Sequence, residues 1–283
     1  MFWNMLIIEN QKLFKRAIIW VELAIIAVGM VAINLLFFAI TRMQSGDPMM
    51  AMLEETLVWP MGLTQSIGFA AGPSLGGILI VILVGAITAQ EYTWRTLQLW
   101  LSRGVPRSLF LTTKFLAVLP ATLLLVITPL LAGGAVTAVF SQIILGEIPF
   151  RAVEWGNVAT LTLTTAYTLL PYAGLAFFLA VATRSTMITV GGGLAYTLLL
   201  EGIVVQLLTF AGGGWAEIGK YVPAGLAQGM MDSVASASVE VGGQMAPTIQ
   251  YLEPGAAAVG VALYTVAFVV LSILIFRRQD LGG

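Results

Sequence analysis

Two residue types are missing from this 283-residue chain: it holds no cysteine and no histidine. Lack of cysteine excludes disulfides and thiolate ligands. Lack of histidine excludes the usual zinc sets and histidine-ligated haem, and together the two absences exclude every catalytic scheme built on Cys or His. Charge is scarce too. Only 10% of the residues are Asp, Glu, Lys or Arg, against about 25% in an ordinary soluble domain. Hydrophobic residues make up 59% of the chain and the mean hydropathy is +0.95. This is the composition of a membrane protein. The net charge of -1 hides a strong sidedness and by itself says nothing about an acidic partner; no nucleic-acid partner is expected.

In place of charge stand long apolar runs. A helix rising 1.5 Å per residue needs about 20 apolar residues to cross a bilayer core about 30 Å thick. Six stretches reach that length, near 17–40, 67–89, 115–140, 158–182, 187–210 and 256–276. They are continuous rather than alternating, so they read as helices and not as barrel strands. The expected fold is an all-α membrane protein, one domain over residues 1–283 with six transmembrane helices. Residues 1–16 precede the first run. Their Phe2, Trp3, Leu6, Leu13 and Phe14 can share a helical face opposite Asn4, Asn10, Gln11 and Lys15, which suits a helix lying among the headgroups. The apolar run that follows exceeds the roughly 7–15 residues of a signal-peptide core, so the segment is expected to be retained.

Basic residues are sorted by side. With both termini in the cytoplasm, the inner segments hold Lys12, Lys15, Arg16, Arg95, Arg103, Arg107, Lys114, Arg184, Arg277 and Arg278, and the outer ones hold only Arg42, Arg151 and Lys220. Such an asymmetry in short loops fixes orientation. The longest connections, about 41–66 and 211–255, then lie outside. "LVWPMGLTQSIGFAAGPS" is apolar enough to dip into the interface or pack on the spans, and "YVPAGLAQGMMDSV" reads as a short helix opened by Pro223.

Four of the basic residues crowd into "AQEYTWRTLQLWLSRGVPRSLFLTTKF", residues 89–115. On a helix, Glu91, Arg95, Gln98 and Ser102 form a polar stripe and Trp94, Leu97 and Leu101 an apolar one, while Gly104 and Pro106 break the helix and start the next. An amphipathic segment of this kind lies on lipid or inserts into a groove on another protein. The pattern Glu91, Thr96, Leu97, Leu101, Ser102, Arg103, Pro106, Arg107 and Lys114 resembles the signature after the second span in permeases of the type-2 ATP-binding-cassette (ABC) exporter family, with Arg95 where glycine is common. "FRRQDL", residues 276–281, resembles the basic ending frequent in the same family.

The resemblance implies a permease that acts as a homodimer or beside a similar sister chain, and that docks two cytoplasmic ATPase subunits. Residues Glu91 to Ser102 would form the coupling helix, with Trp94, Leu97 and Leu101 as apolar anchors and Arg95, Arg103 and Arg107 helping to seat it. ATP and magnesium would be bound by the ATPase and no cofactor by this chain. The setting implied is a bacterial-type plasma membrane, and the activity is export of a lipid-like or amphiphilic compound. A proton-coupled secondary transporter and a non-transporting scaffold or sensor remain as alternatives.

Glu22 and Glu201 are the acids inside apolar runs, where a charge costs at least about 2.5–3.5 kcal/mol. Glu22 is expected to snorkel or meet a cation at the inner end of its span, with a place on a substrate path as the alternative. Glu201 is expected either to be bonded across a helix interface or to line a substrate path. Gly191 to Gly193 permit close helix approach, Pro120, Pro129 and Pro171 free carbonyls within spans, and Trp59, Trp155 and Trp215 suit interface anchors. "GWAEIGKY", residues 214–221, has phosphate-loop spacing, but Tyr221 replaces the magnesium-binding Ser or Thr, so no nucleotide site is expected here.

Overall fold

The computed structural model describes residues 2–43, 48–72, 74–93, 104–205, 207, 214–235 and 251–279. The fold is all-α. In chain order the helices are α1 (Phe2–Lys15), α2 (Ala17–Met43), α3 (Pro48–Thr56), α4 (Met61–Gly68), α5 (Leu75–Thr93), α6 (Arg107–Leu116), α7 (Leu119–Leu145), α8 (Trp155–Thr168), α9 (Leu170–Thr183), α10 (Thr186–Leu194), α11 (Gly214–Gly219), α12 (Pro223–Ala235) and α13 (Pro254–Arg278). Among the described residues six helical stretches are long and apolar enough to cross a membrane: span 1 Ala17–Met43, span 2 Leu75–Tyr92, span 3 Arg107–Leu145, span 4 Trp155–Thr183, span 5 Thr186–Val205 and span 6 Pro254–Arg278. The protein is a multi-pass membrane protein.

Local chemistry sets the breaks. Spans 3 and 4 each consist of two helices, and the second begins with Pro120 or Pro171 in its first turn. There the missing N–H costs nothing, because a first-turn donor has no partner within the helix. These two prolines therefore start helices instead of interrupting them, while Pro129 does sit inside α7. Gly146, at φ 79°, closes α7, and Arg184, at φ 56°, closes α9. One residue later Ser185 caps α10, its side chain accepting the Ile188 N–H. Span 5 then continues as a π-helix over Ala195–Val205. Pro223 opens α12 as expected.

The start of span 2 departs from the hydropathy reading. Residue 67 belongs to α4, and span 2 begins at Leu75. An apolar helix packed beside a span has the same hydropathy as the span itself, which is why the boundary was misplaced. Helix α4 buries Gly62, Leu63, Ser66 and Ile67. Glycines let it approach span 3: a Cβ on Gly62 would stand 2.7 Å from the Thr137 Cβ, and one on Gly134 would stand 2.7 Å from a Leu63 methyl. Trp59 locks this contact. Its indole N–H donates to the Gly134 carbonyl at 3.0 Å and to Thr137 Oγ1 at 3.1 Å, and only 9% of the residue is exposed. Trp59 is thus a clamp and not an interface anchor with a wet N–H. Trp155 is half exposed, and the Trp215 side chain lies outside the described residues.

Helix α9 forms the centre. It packs on spans 2, 5 and 6, with Tyr172, Ala173, Ala176, Phe177, Ala180 and Val181 fully buried. Gly193 of span 5 rests on Val81 of span 2, while Gly191 faces open space. Spans 1, 5 and 6 show rows of large apolar residues outward, among them Ile25, Leu35, Leu36, Leu199, Ile203, Leu263 and Val270. A soluble monomer would not tolerate so much exposed apolar surface. A bilayer solvates it.

Candidate functional site

The end of α1, the starts of spans 1, 3 and 5 and the ends of spans 2, 4 and 6 share one end of the bundle, which also carries Lys12, Lys15, Arg16, Arg107, Lys114, Arg184, Arg277 and Arg278. We call it the basic end. Here α1 lies against α6. It turns inward Met5, Glu9 and Leu13, which recur every fourth residue on one helical face. Phe2 and Trp3 stay on the outer side, Trp3 being 71% exposed. The expected headgroup helix is therefore also a packed element, and a carboxylate lies in its packed face.

That carboxylate completes a ring. Lys114 Nζ is 2.7 Å from Glu91 Oε1 and 3.3 Å from Glu9 Oε2, while Lys12 Nζ is 2.6 Å from Glu9 Oε1 and 3.5 Å from Glu91 Oε1. Signs alternate around it. Glu9, Glu91 and Lys114 are buried, and Lys12 reaches toward the surface. Burial pushes the Glu9 carboxyl up, but the ammonium groups of Lys114 and Lys12 outweigh it and hold the group below the usual carboxylate range. Beside the ring, Arg16 donates to Gln90 Oε1 at 2.9 Å. The ring ties α1 to the last turn of span 2 and the first helix of span 3.

A second junction stands next to it. Arg107 Nη1 donates to the carbonyls of Phe276, Arg277 and Gln279 at 3.3, 3.1 and 2.9 Å. Phe276 also accepts the Gln279 N–H at 3.3 Å, Arg277 is among the carbonyls that the end of α13 leaves without helical partners, and Gln279 lies just beyond the helix; a guanidinium there adds a donor and opposes the helix dipole. Gln279 Nε2 in turn donates to the Val181 carbonyl at 2.7 Å. Phe276 stacks on Phe110. The base of span 3 is thereby fastened to the ends of spans 4 and 6.

Of the residues singled out for coupling, Trp94, Arg95, Thr96, Leu97, Leu101 and Arg103 lie outside the described residues. Glu91 and Arg107 lie inside them. Glu91 is 2% exposed and faces the protein, so it does not belong to a solvent-facing polar stripe: Lys114 and Lys12 draw it inward. The sequence reading missed Glu9 and Lys12. The available signal was an acid at the apolar spacing of Met5 and Leu13, followed three residues later by a lysine.

The intramembrane acids differ. Glu201 is bonded across helix interfaces: Tyr172 Oη donates to Oε2 at 2.6 Å, Tyr196 also bonds the carboxyl, and the Ala224 N–H in the first turn of α12 donates to Oε1 at 3.4 Å. It pins α12 to spans 4 and 5. Glu22 neither snorkels nor meets a cation as expected. It is 3% exposed, and neither carboxyl oxygen finds a donor among the described residues. Packing of its helix face against neighbouring spans keeps it from both. The phosphate-loop look-alike forms α11, and its Lys220 is engaged by Glu217 at 2.7 Å.

A family model described as "Protein of unknown function (DUF2705)" matches residues 73–282. That stretch includes Glu91, Arg107, Lys114 and Gln279, but not Glu9 or Lys12. The chain is also 25% identical over 237 residues to "Uncharacterized protein YhcI" of Bacillus subtilis (strain 168), covering 80% of this chain and 70% of the relative. These likenesses carry kinship and no activity.

Proposed function

We propose, from the motif resemblance and the geometry of its basic end, that this chain, which belongs to the DUF2705 family, is the permease subunit of an ATP-driven exporter resembling the type-2 ABC family. One observation carries the reading. The two stretches on which the resemblance rests, Glu91 to Lys114 and residues 276–281, are far apart in sequence and meet at one place, where Arg107 holds the carbonyls of Phe276, Arg277 and Gln279. Residues 94–103 are bracketed by the buried Glu91–Lys114 pair on one side and this junction on the other. A push on residues 94–103 would be passed through Glu91 and Arg107 to spans 2, 3, 4 and 6 together.

In this reading the basic end faces the cytoplasm with both termini, in a bacterial-type plasma membrane. Two ATPase subunits hold ATP and magnesium, and this chain pairs with a second copy or a sister chain. Nucleotide binding and release favour alternate inward- and outward-facing arrangements, because the ATPase grips residues 94–103 differently in each. The few internal charges favour an amphiphilic cargo. Glu201, bonded on both oxygens, fits a fastening role better than that of a proton carrier, which weighs against a secondary transporter.

The full chain, purified from its native membrane, is expected to bring an ATPase with it and to hydrolyse Mg-ATP. Leu97→Asp should insert normally yet lose that hydrolysis. An ATPase-free preparation, or hydrolysis unchanged by the substitution, would contradict the proposal.

A further inference from the structure

Away from the basic end, span 1 and the helices α3 and α4 line a half-open cavity of about 260 Å³. Its walls include Ile33, Asn34 and Phe37 of span 1, Leu53 and Leu57, and Phe69 beyond α4, and none of its lining side chains ionises. Apart from the exposed Gln65 amide, which also lines it, its polar groups are largely engaged elsewhere. Asn34 Nδ2 donates to the Met30 carbonyl at 2.9 Å, the Thr56 hydroxyl to that of Leu53 at 2.7 Å, and the Ser66 hydroxyl to that of Gly62 at 2.6 Å. Water needs two to four polar partners to settle in a cavity, and these walls offer few free ones. A charged headgroup would find no counter-ion.

Depth decides what is at hand. Met30 is at the middle of the 27-residue span 1. At 1.5 Å per residue, Ile33 to Phe37 stand roughly 5–10 Å farther from the basic end, within a half-core of about 15 Å. The bilayer supplies hydrocarbon chains at that level. Leu35, Leu36 and Met52 flank the cavity with outward-facing apolar surface. Nor can the walls close in. Helix α4 is clamped to span 3 by Trp59 and by the contact of Gly62 with Thr137, and Glu54 of α3 is held 3.5 Å from Arg42 at the end of span 1.

We propose that this cavity binds a single alkyl chain, in the half of the bilayer away from the basic end. The chain can come from a membrane phospholipid or from a single-chain amphiphile, since either presents the same methylene surface. The site does not depend on any ATPase.

Two photoreactive probes test it on the full chain in phosphatidylethanolamine–phosphatidylglycerol nanodiscs: hexadecanol carrying a diazirine, and phosphatidylethanolamine carrying the diazirine in one acyl chain. Label within 30–37 and 53–69 is expected to exceed that on the lipid-facing residues 259–270 by roughly tenfold, a preference of about 1.4 kcal/mol. Excess unlabelled hexadecanol should remove the excess on the unmodified protein, and Leu53→Trp should abolish it while span 6 labels as before. Label from both probes identifies bilayer chains as occupants, and label from hexadecanol alone identifies single-chain amphiphiles. Labelling that is uniform over the spans and does not saturate would overturn the proposal. That outcome is distinct from a missing ATPase, which bears only on the permease reading.

Discussion

Lys114 is held by two carboxylates, Glu91 at 2.7 Å and Glu9 at 3.3 Å, inside a packed helix junction. Removing one member of a buried pair leaves the other charge uncompensated, so Lys114→Met should cost about 3–5 kcal/mol in an unfolding assay in detergent. Lys12→Met should cost about 1 kcal/mol or less, since an ammonium near water contributes little. Acid should act through Glu9. Its folded pKa lies below the usual 4.5, so the stability it contributes is complete above that range and is lost as pH falls through the depressed value. A thermal midpoint followed from pH 7 downward should drop at the acid end, and Glu9→Gln, less stable at pH 7, should show a smaller drop. Glu22 reverses the usual direction. Its oxygens have no donor among the described residues, so Glu22→Leu should stabilise the protein by about 1–3 kcal/mol. An unchanged or lowered midpoint would mean that the carboxyl is engaged in the working protein.

Helix ends show how the elements are joined. Arg107→Ala should strip the end of span 6 of the donor that serves three of its carbonyls and cost about 1.5–3 kcal/mol, the range for bonds to a charged group. Hydrogen exchange should rise first at Phe276 to Gln279. Hydropathy could find six spans because length and apolarity suffice for that. It could not separate α4 from span 2, since Ile67 is as apolar as any residue of a span. Nor could it show that Pro120 and Pro171 begin helices. The charged ring was half legible: Glu91 and Lys114 stood out in the motif, whereas their partners Glu9 and Lys12 come from a helix about 80 residues earlier in sequence, and such pairing is set by packing alone.

At the scale of the molecule, a buried central span, a basic end fastened by two polar junctions and a cavity in the opposite half stand at different levels, so that in the proposed reading a push on the basic end and the binding of an alkyl chain would act at separate places. The gathering of Lys and Arg at one end was readable from the sequence, whereas the amphipathic pattern read over residues 94–103 lies outside the described residues. What the pattern touches was not readable, because an apolar helical stripe suits lipid and protein grooves alike. The most direct measurement is photo-crosslinking from a benzophenone side chain placed at position 97 in intact native membranes. The account predicts an adduct with a protein that azido-ATP also labels, formed at the expense of lipid adducts. Adducts with phospholipid alone, in membranes where the chain is abundant and correctly inserted, would contradict it.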